Sequence, residues 1–229
     1  MKALAVITAR AGSKGIPGKN LADLAGRPLL SYTLEAALQC GEFDRVVVST
    51  DGQEIADLAR DYGADVVWRP PELAGDRVRS QPVVRHVLDT LGGEIAGFRF
   101  LAGLQPTSPL RGAEHIREAF RLYRESGMRG SLISVVEPDK HPMKCFLLER
   151  ERLRPWIDTE TLGAPRQQLP RLYNLNGAIG ITTITGFLES GDFYTEPLIP
   201  YFMSRASGVD IDAPEDLELA AYYLKRGAY

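Results

Sequence analysis

Residues 3–20 read ALAVITARAGSKGIPGKN, and this stretch decides the fold class of the chain. Its first part, residues 3–8, is a continuous apolar run of the kind typical of a buried β-strand. Gly12, Gly15 and Gly18 then follow at regular spacing, and the absence of side chains lets the backbone turn tightly and approach a ligand. The stretch therefore predicts a strand that runs into a ligand-binding loop.

Beyond residue 20, apolar β-branched runs alternate with amphipathic segments of helical periodicity. The further predicted strands are 45–50, 64–68, 98–104, 131–136, 178–183 and 198–203, and the predicted helices are 28–38, 54–62, 81–91, 113–125 and 214–225. Repeated β-α-β order predicts a three-layer α/β/α protein with helices on both faces of a mixed, mainly parallel sheet. Ligands of such sheets bind beyond the carboxyl ends of the strands. The loops at that edge follow Thr8, Thr50, Trp68 and Leu104.

The alternation breaks between residues 139 and 173, where short apolar runs are mixed with charges and prolines. These runs, Cys145–Leu148 and Leu153–Trp156, hold more apolar surface than a small lobe can bury alone. We therefore expect a single domain, residues 1–229, from which an inserted lobe, 139–173, leaves the sheet and reaches a partner chain.

The composition is that of an ordinary soluble domain, and it excludes several classes of protein. Hydrophobic residues make up 44% and charged residues 25% of the 229, so the chain is neither disordered nor fibrous. The net charge of −3 makes nucleic acid a poor partner, and no apolar run approaches the roughly 18 residues of a membrane span. The two cysteines, Cys40 and Cys145, lie far apart, which argues against a zinc site and predicts buried free thiols in a reducing cytoplasm.

The glycine loop carries local positive charge that the whole-chain average hides. Arg10, Lys14 and Lys19 occur within residues 9–20 without an acidic residue among them. The spacing fits neither a Walker A loop, which needs a glycine where Ser13 stands, nor a dinucleotide-binding Gly-x-Gly-x-x-Gly loop. An ordinary flexible loop would explain the glycines but not three unpaired cations beside them, so we expect this loop to bind phosphate groups.

Two further polar features occur near predicted strand ends. Asp210 and Asp212 are two residues apart, which on a strand end places both carboxylates on one face, where they can share a hard cation. Asp212 also precedes a predicted helix and is a candidate N-cap, although capping does not explain Asp210. Gln105 follows the strand that ends at Leu104, and a proline-rich turn with Ser108 as a helix cap would explain Ser108 but not Gln105.

Motif segments spread along the chain resemble the acylneuraminate (CMP-sialic acid) cytidylyltransferases. They are 10–20 (RAGSKGIPGKN), 49–51 with 69–73 (STD, RPPEL), 104–111 (LQPTSPLR), 165–170 with 176–179 (PRQQLP, NGAI) and 209–217 (VDIDAPEDL). The resemblance extends from about residue 5 to residue 219. Several motifs in one order are far more specific than a single glycine loop.

This resemblance implies a Rossmann-like nucleotidyltransferase fold and a cytoplasmic homodimer that forms through the inserted lobe. It implies transfer of CMP from CTP to the anomeric hydroxyl of a nine-carbon 2-keto sugar acid, with Mg²⁺ as cofactor and release of pyrophosphate. The alternatives are a 3-deoxy-manno-octulosonate-type or other sugar nucleotidyltransferase, and a catalytically silent nucleotide-sugar binder.

The matching positions also imply roles for individual residues. The implied nucleotide ligands are Arg10, Ser13, Lys19, Asn20, Arg69 and Ser80, and the implied sugar ligands are Gln105, Lys144, Arg166, Asn176, Phe193 and Tyr194. The implied catalytic residues are Arg10, Lys19, Gln105 and Asp210, and the implied metal ligands are Asp210 and Asp212. The chain departs from the sialic acid pattern at Asn174 and Gly180, where those enzymes carry arginine and tyrosine. We therefore include legionaminic- and pseudaminic-type acids among the expected acceptors.

Overall fold

The computed structural model describes residues 1–227 and follows the predicted alternation of strands and helices. The strands are β1 (Ala3–Thr8), β2 (Asp23–Leu24), β3 (Arg27–Pro28), β4 (Arg45–Thr50), β5 (Asp65–Trp68), β6 (Phe100–Leu104), β7 (Ser131–Val136), β8 (Phe146–Glu149), β9 (Arg152–Pro155), β10 (Asn174–Thr183) and β11 (Leu198–Met203). The helices are α1 (Leu29–Gln39), α2 (Gln53–Asp61), α3 (Ser80–Leu91), α4 (Ala113–Glu125), α5 (Thr159–Gly163), α6 (Ile184–Ser190) and α7 (Pro214–Arg226). Within residues 1–227, none of these helices combines the length and apolarity needed to cross a bilayer.

Seven strands form one sheet in the order β11-β7-β10-β6-β1-β4-β5. Neighbouring strands run parallel except for β10, which is antiparallel to both β6 and β7. The prediction of a mixed, mainly parallel sheet is therefore confirmed. Two small hairpins, β2 with β3 and β8 with β9, lie outside this sheet.

Helices cover both faces of the sheet because the central strand β1 is apolar on both sides. Ala5 and Ile7 pack on one face in a core that includes residues of α1 and α4. Leu4 and Val6 pack on the other face with residues of α3 and α6. Burial of each large apolar side chain contributes about 1.5–3 kcal/mol. The strand beneath the glycine loop is thus firmly fixed.

The carboxyl ends of β1, β4 and β6 bring three loops together. The backbone N–H of Ala9 donates to the carbonyl of Ser49 (3.0 Å), which joins the end of β1 to that of β4. After β6, the carbonyl of Thr107 accepts from the N–H of Ile211 (2.8 Å). This contact ties the segment before α7 to the same edge of the sheet, opposite the glycine loop.

Between β7 and β10 the chain leaves the sheet and forms a small lobe. The strands β8 and β9 pair with each other there, and α5 follows them. The large exposed apolar side chains of this lobe include Phe146, Leu148, Leu153, Trp156 and Ile157. Cys145 precedes β8 and is exposed, whereas Cys40 is buried, so the prediction of two buried thiols is wrong for Cys145.

Candidate functional site

A cavity of about 230 Å³ opens at the carboxyl edge of the sheet, between the glycine loop, the end of β6 and the start of α3. We call it the cation-lined cavity. Its lining residues with polar side chains are Thr8, Arg10, Ser13, Lys19, Asn20, Arg69, Arg79, Ser80, Gln105 and Thr107. All the residues that the motifs implied as nucleotide ligands line this cavity, together with Gln105. Arg79 was not predicted, although it directly precedes the implied ligand Ser80.

A few contacts fix the backbone of the glycine loop. Gly18 has a left-handed backbone, with φ of 61°, which other residues rarely adopt. Gly15 lies so close to Asp212 that a Cβ there would overlap the Asp212 carbonyl oxygen. Asn20 is buried, and its Nδ2 donates to the carbonyl of Arg10 (2.8 Å). Its Oδ1 is buried without a hydrogen-bond partner in the described part of the chain, so one acceptor stays free at the cavity.

Arg10 and Lys14 share an acidic partner that is distant in sequence. Arg10 Nη1 donates to Asp76 Oδ1 in a short contact, and Lys14 Nζ lies 3.0 Å from Asp76 Oδ2. Hydrogen bonds from Arg10 and Lys14 lower the pKa of the Asp76 carboxyl. The expectation of unpaired loop cations is therefore wrong, because Asp76 reaches the loop from 66 residues beyond Arg10.

Lys19 connects the glycine loop to the acidic pair. Its side chain is 13% exposed, and its Nζ donates to the carbonyl of Ile211 (2.6 Å) and to Asp212 Oδ1 (3.0 Å). Burial raises the pKa of the neighbouring Asp210 carboxyl, a hydrogen bond from Thr107 opposes the rise, and the charge of Asp212 adds to it. Asp210 Oδ1 is buried and, among residues 1–227, has no hydrogen-bond partner. Such an oxygen is available as a ligand for a cation.

Asp216, and not Asp212, satisfies the N-terminus of α7. Its Oδ2 accepts from the backbone N–H groups of Asp212 (2.9 Å) and Ala213 (2.8 Å). The interpretation of Asp212 as the helix cap is therefore wrong, and its carboxylate faces the glycine loop instead. Ser108 does not cap a helix either, because Gly112 is the N-cap residue of α4.

Arg69 contributes a buried cation to the wall of the cavity. Its side chain is held at the end of β4, where Nη2 donates to the carbonyl of Ser49 (2.9 Å). Burial lowers the pKa of the Arg69 guanidinium, and the charge of nearby Asp51 opposes this change. Arginine nevertheless remains protonated near neutral pH. The cavity thus has a positive group whose position is fixed by burial and by the hydrogen bond to Ser49.

A second, smaller cavity of about 50 Å³ adjoins the first. We call it the apolar cavity. Thr8, Ser80 and Gln105 line both cavities. Its other lining residues are Val6, Val84, Gly103, Leu104, Ile133, Leu175, Gly177, Ile179, Gly180, Phe193 and Tyr194. Gln105 therefore lies at the junction, where a group bound in one cavity meets a group bound in the other.

Gly177 allows Gln105 to take this position. Its backbone is left-handed, with φ of 69°, and a Cβ on it would overlap the Gln105 amide group. Gly177 lies within the motif NGAI, and no role was predicted for it. A glycine within a strand often marks a bulge or a close approach, and that signal was present.

The structure brings only part of the implied sugar set together. The members that line the apolar cavity are Gln105, Phe193 and Tyr194. Asn176 is buried within the sheet, where its Oδ1 accepts from Ser134 Oγ (2.6 Å) and from the backbone N–H of Ala178 (3.3 Å). Its amide thus joins β7 to β10, and Asn176 is not among the residues that line either cavity, contrary to the expectation.

Lys144 and Arg166 lie in the inserted lobe, away from the apolar cavity. Lys144 Nζ donates to the carbonyl of Ala164 (2.6 Å), within the lobe. Arg166 Nη2 binds Glu137 Oε1 (2.9 Å) and lines a separate cavity of about 500 Å³, together with His141. The structure therefore does not bring these two cations to Gln105 within one chain, because both belong to the lobe, which lies outside the sheet.

Comparisons with known proteins give relatives along almost the whole chain. It is 38% identical to the CMP-N,N'-diacetyllegionaminic acid synthase of Legionella pneumophila, over 96% of this chain and 94% of that protein. It is 36% identical to the N-acylneuraminate cytidylyltransferase of Escherichia coli over 96% of this chain, but it spans only about half, 51%, of the length of that relative. It is 32% identical to the pseudaminic acid cytidylyltransferase of Campylobacter jejuni, over 98% of this chain and 97% of that protein.

Solved structures and the family model add the fold and the family. The structure of CMP:2-keto-3-deoxy-manno-octonic acid synthetase complexed with CTP matches with a TM-score of 0.71 at 16% identity, over 99% of this chain and 100% of that one. At this identity the likeness shows the fold alone. The model of the cytidylyltransferase family matches residues 4–225. The chain that carries the cation-lined cavity belongs to the cytidylyltransferase family.

Proposed function

We propose that the chain transfers CMP from CTP to the anomeric hydroxyl of a nine-carbon 2-keto sugar acid and releases pyrophosphate. One observation carries the proposal: the implied nucleotide ligands line one cavity, and this cavity meets a second one at Gln105. A nucleoside triphosphate in the first cavity and a sugar acid that reaches into the second would meet there. The names of the relatives, which refer to N-acylneuraminate, legionaminic acid and pseudaminic acid, support this class of acceptor.

The residues of the chain would act by positioning and by neutralising charge. The acceptor hydroxyl oxygen forms a bond to the α-phosphorus, the bond from that phosphorus to the leaving pyrophosphate breaks, and the hydroxyl proton passes to solvent. Such a transfer needs little covalent help from a protein. Arg10 and Lys19 would bind the triphosphate, and the contacts of Lys19 with Ile211 and Asp212 fix its ammonium group in advance. The Gln105 amide would orient the acceptor at the junction.

Asp210 and Asp212 would hold Mg²⁺, and the side chains present fit this ion. Asp210 Oδ1 is a buried oxygen that no described donor satisfies. Mg²⁺ prefers oxygen ligands, commonly one or two carboxylates together with substrate phosphates. The pair would supply the carboxylates and the triphosphate would supply further oxygens. When bound, Mg²⁺ would draw charge from the reacting phosphate.

We further propose that two copies assemble in the cytoplasm through the inserted lobe. The hairpin of β8 and β9 has two strands, and such a hairpin is marginally stable in water unless it packs against something. Its exposed apolar side chains would pack against a second copy. Lys144 and Arg166, two of the implied sugar ligands, lie in the same lobe and would act only where a lobe approaches a sugar-binding cavity.

Pyrophosphate release tests the proposal. The chain is incubated with CTP, ATP, UTP or GTP and with a panel of eight- and nine-carbon sugar acids. We expect release with CTP and a nine-carbon acid. Lys19→Met and Asp210→Asn should each lower kcat by ~10²-fold or more, because each removes a group that stabilises the transition state. Lys14→Met changes a lysine of the same loop whose side chain is 83% exposed, and it should have little effect on kcat.

Three results would contradict the proposal in different ways. Release that is unchanged in Asp210→Asn would remove Asp210 from the catalytic machinery. A preference for the eight-carbon acids would favour the octulosonate-type alternative. Measurable CTP binding without pyrophosphate release for any acid would favour the silent binder.

A further inference from the structure

Between β5 and α3 the chain passes along the rim of the cation-lined cavity, and we call residues 70–79 of this connection the strap. Its backbone closes turns, in which the N–H groups of Ala74 and Val78 donate to carbonyls three residues earlier (both 3.1 Å). Val78 and Arg79, at the end of the strap, line the cavity itself. Any group bound in the cavity therefore has the strap as a neighbour.

One carboxylate ties the strap to the glycine loop. Asp76 Oδ1 accepts from Arg10 Nη1, and Asp76 Oδ2 lies 3.0 Å from Lys14 Nζ. Within residues 1–227, no other hydrogen bond or ion pair joins the strap to the glycine loop. The side chain of Asp76 is 34% exposed and that of Lys14 is 83% exposed, so water and ions reach this contact. It can therefore open without disturbing the core.

Asp76 and a phosphate group compete for the same cation. Arg10 lines the cavity, and guanidinium N–H groups donate to carboxylate and to phosphate oxygens alike. Hydrogen bonds from Arg10 and Lys14 lower the pKa of the Asp76 carboxyl, so this group is ionised at neutral pH. A phosphate chain carries several negative charges and repels a carboxylate beside it. Phosphate bound at Arg10 and the contact of Asp76 with Arg10 therefore oppose each other.

This competition matters most for the product pyrophosphate. CTP brings a base and a ribose that can contact other residues, whereas pyrophosphate offers phosphate oxygens alone. Loop cations that stabilise charge in the transition state also hold the leaving pyrophosphate and so slow its release. A carboxylate that returns to Arg10 replaces a contact that pyrophosphate gives up. The apparent dissociation constant then rises in proportion to the share of time that Asp76 occupies Arg10.

We propose that Asp76 is an internal competitor of pyrophosphate for Arg10 and promotes the release of this product. The inference rests on the proposed function, because pyrophosphate is the product of that reaction, and it adds a positioning residue to the same site. A single exposed ion pair is weak, but here one carboxylate binds two cations. We expect the competition to raise the dissociation constant of pyrophosphate by about 3–10-fold.

Isothermal titration of the chain with inorganic pyrophosphate, without nucleotide or acceptor, tests the proposal. Asp76→Asn keeps the shape of the side chain and removes its charge, and it should lower the dissociation constant by about 3–10-fold. Asp76→Glu retains the charge and should bind pyrophosphate nearly as the unmodified chain does. Glu72→Gln is the matched control, because it removes the same charge from an exposed position of the strap, and it should change the dissociation constant little.

In the transfer assay, the inhibition constant of pyrophosphate should fall by the same factor in Asp76→Asn. An unchanged dissociation constant in this variant would overturn the proposal, and so would a raised one, which would show that Asp76 positions Arg10 for the phosphates. An equal fall in Glu72→Gln would also overturn it, because the effect would then come from the net charge of the strap.

The titration needs no catalysis, so the two proposals fail in different experiments. Absence of pyrophosphate release with every nucleotide and every acid would overturn the proposed function, and the role of Asp76 in product release with it. Release of pyrophosphate together with equal dissociation constants in Asp76→Asn and the unmodified chain would overturn the role of Asp76 while transfer from CTP still stands.

Discussion

Gly177 leaves room for the Gln105 amide because glycine has no side chain. In Gly177→Ala, the new methyl group meets the Gln105 amide at a left-handed backbone position, so Gln105 must move. A displacement of about 1 Å in a positioned group can lower the rate by about 10²-fold. We therefore expect kcat to fall ~10-fold or more while KM for CTP changes little. Steady-state kinetics checks this. Gly163→Ala, at a lobe glycine with open space around it, is the control, and equal losses in both variants would contradict the role.

Arg111 is a buried cation that contacts Gln105. It is fully buried, and its Nη2 donates to Thr33 Oγ1 (2.9 Å) and to the carbonyl of Gln105 (3.4 Å). Burial lowers the pKa of Arg111 to about 10, so the guanidinium is charged at neutral pH. Its Nε and Nη1 have no hydrogen-bond partner within residues 1–227, which makes this charge costly to bury.

Replacing Arg111 should therefore separate stability from activity. Arg111→Met removes a poorly satisfied buried charge, and we expect a gain of about 1–4 kcal/mol in unfolding free energy together with a lower kcat. Thermal melts and steady-state kinetics on the same preparation measure both. A variant that loses both stability and activity would show that the guanidinium is a structural requirement of the loop.

The site residues that could be predicted from the sequence differ in one physical respect from those that could not. The loop cations and Gly12, Gly15 and Gly18 are contiguous, so their spacing was readable. Asp76 meets Arg10 across 66 residues, and Phe193 meets Gly180 only because α6 turns the chain back over the sheet. Such contacts exist only in the folded chain.

At the scale of elements, the start of α7 controls the acidic pair. Asp216→Ala removes the carboxylate that accepts from the N–H groups of Asp212 and Ala213, and loss of such a cap costs about 1 kcal/mol. We expect this decrease in unfolding free energy in urea titrations. Glu215→Ala changes an exposed acid in the same turn and should cost less. Equal costs would mean that the effect comes from charge near the helix dipole and not from the cap.

Periodicity predicted the elements whose burial pattern is regular. The strands 3–8, 45–50, 131–136 and 198–203 and the helix 113–125 have the predicted bounds, and the other ends, except the start of β10, shift by one or two residues. β10 is longer than predicted because Asn174 and Leu175 pair with β7 before the register shifts, ahead of the apolar run that marked the strand. The helix α6 follows β10 directly and is short, so no polar segment marked its start.

At the scale of the whole molecule, the lobe decides the assembly. The double variant Leu148→Asp, Leu153→Asp places charges on exposed apolar positions of the hairpin and should convert a dimer into monomers. Light scattering should give twice the 25.2 kDa chain mass for the unmodified protein and the single mass for the variant. Leu38→Asp is the control outside the lobe. A monomeric unmodified protein at micromolar concentration would contradict the proposed assembly.

The whole molecule has a net charge of −3, yet arginine and lysine side chains line one cavity. In the proposed reaction, the acceptor hydroxyl attacks the α-phosphorus of CTP in this cavity. An acceptor labelled with ¹⁸O at its anomeric hydroxyl tests this attack. Mass spectrometry should find the label in the oxygen that bridges sugar and phosphate, with one unlabelled pyrophosphate released for each product. An unlabelled bridging oxygen in the product while the unreacted acceptor keeps its label, or label in the pyrophosphate, would contradict this attack.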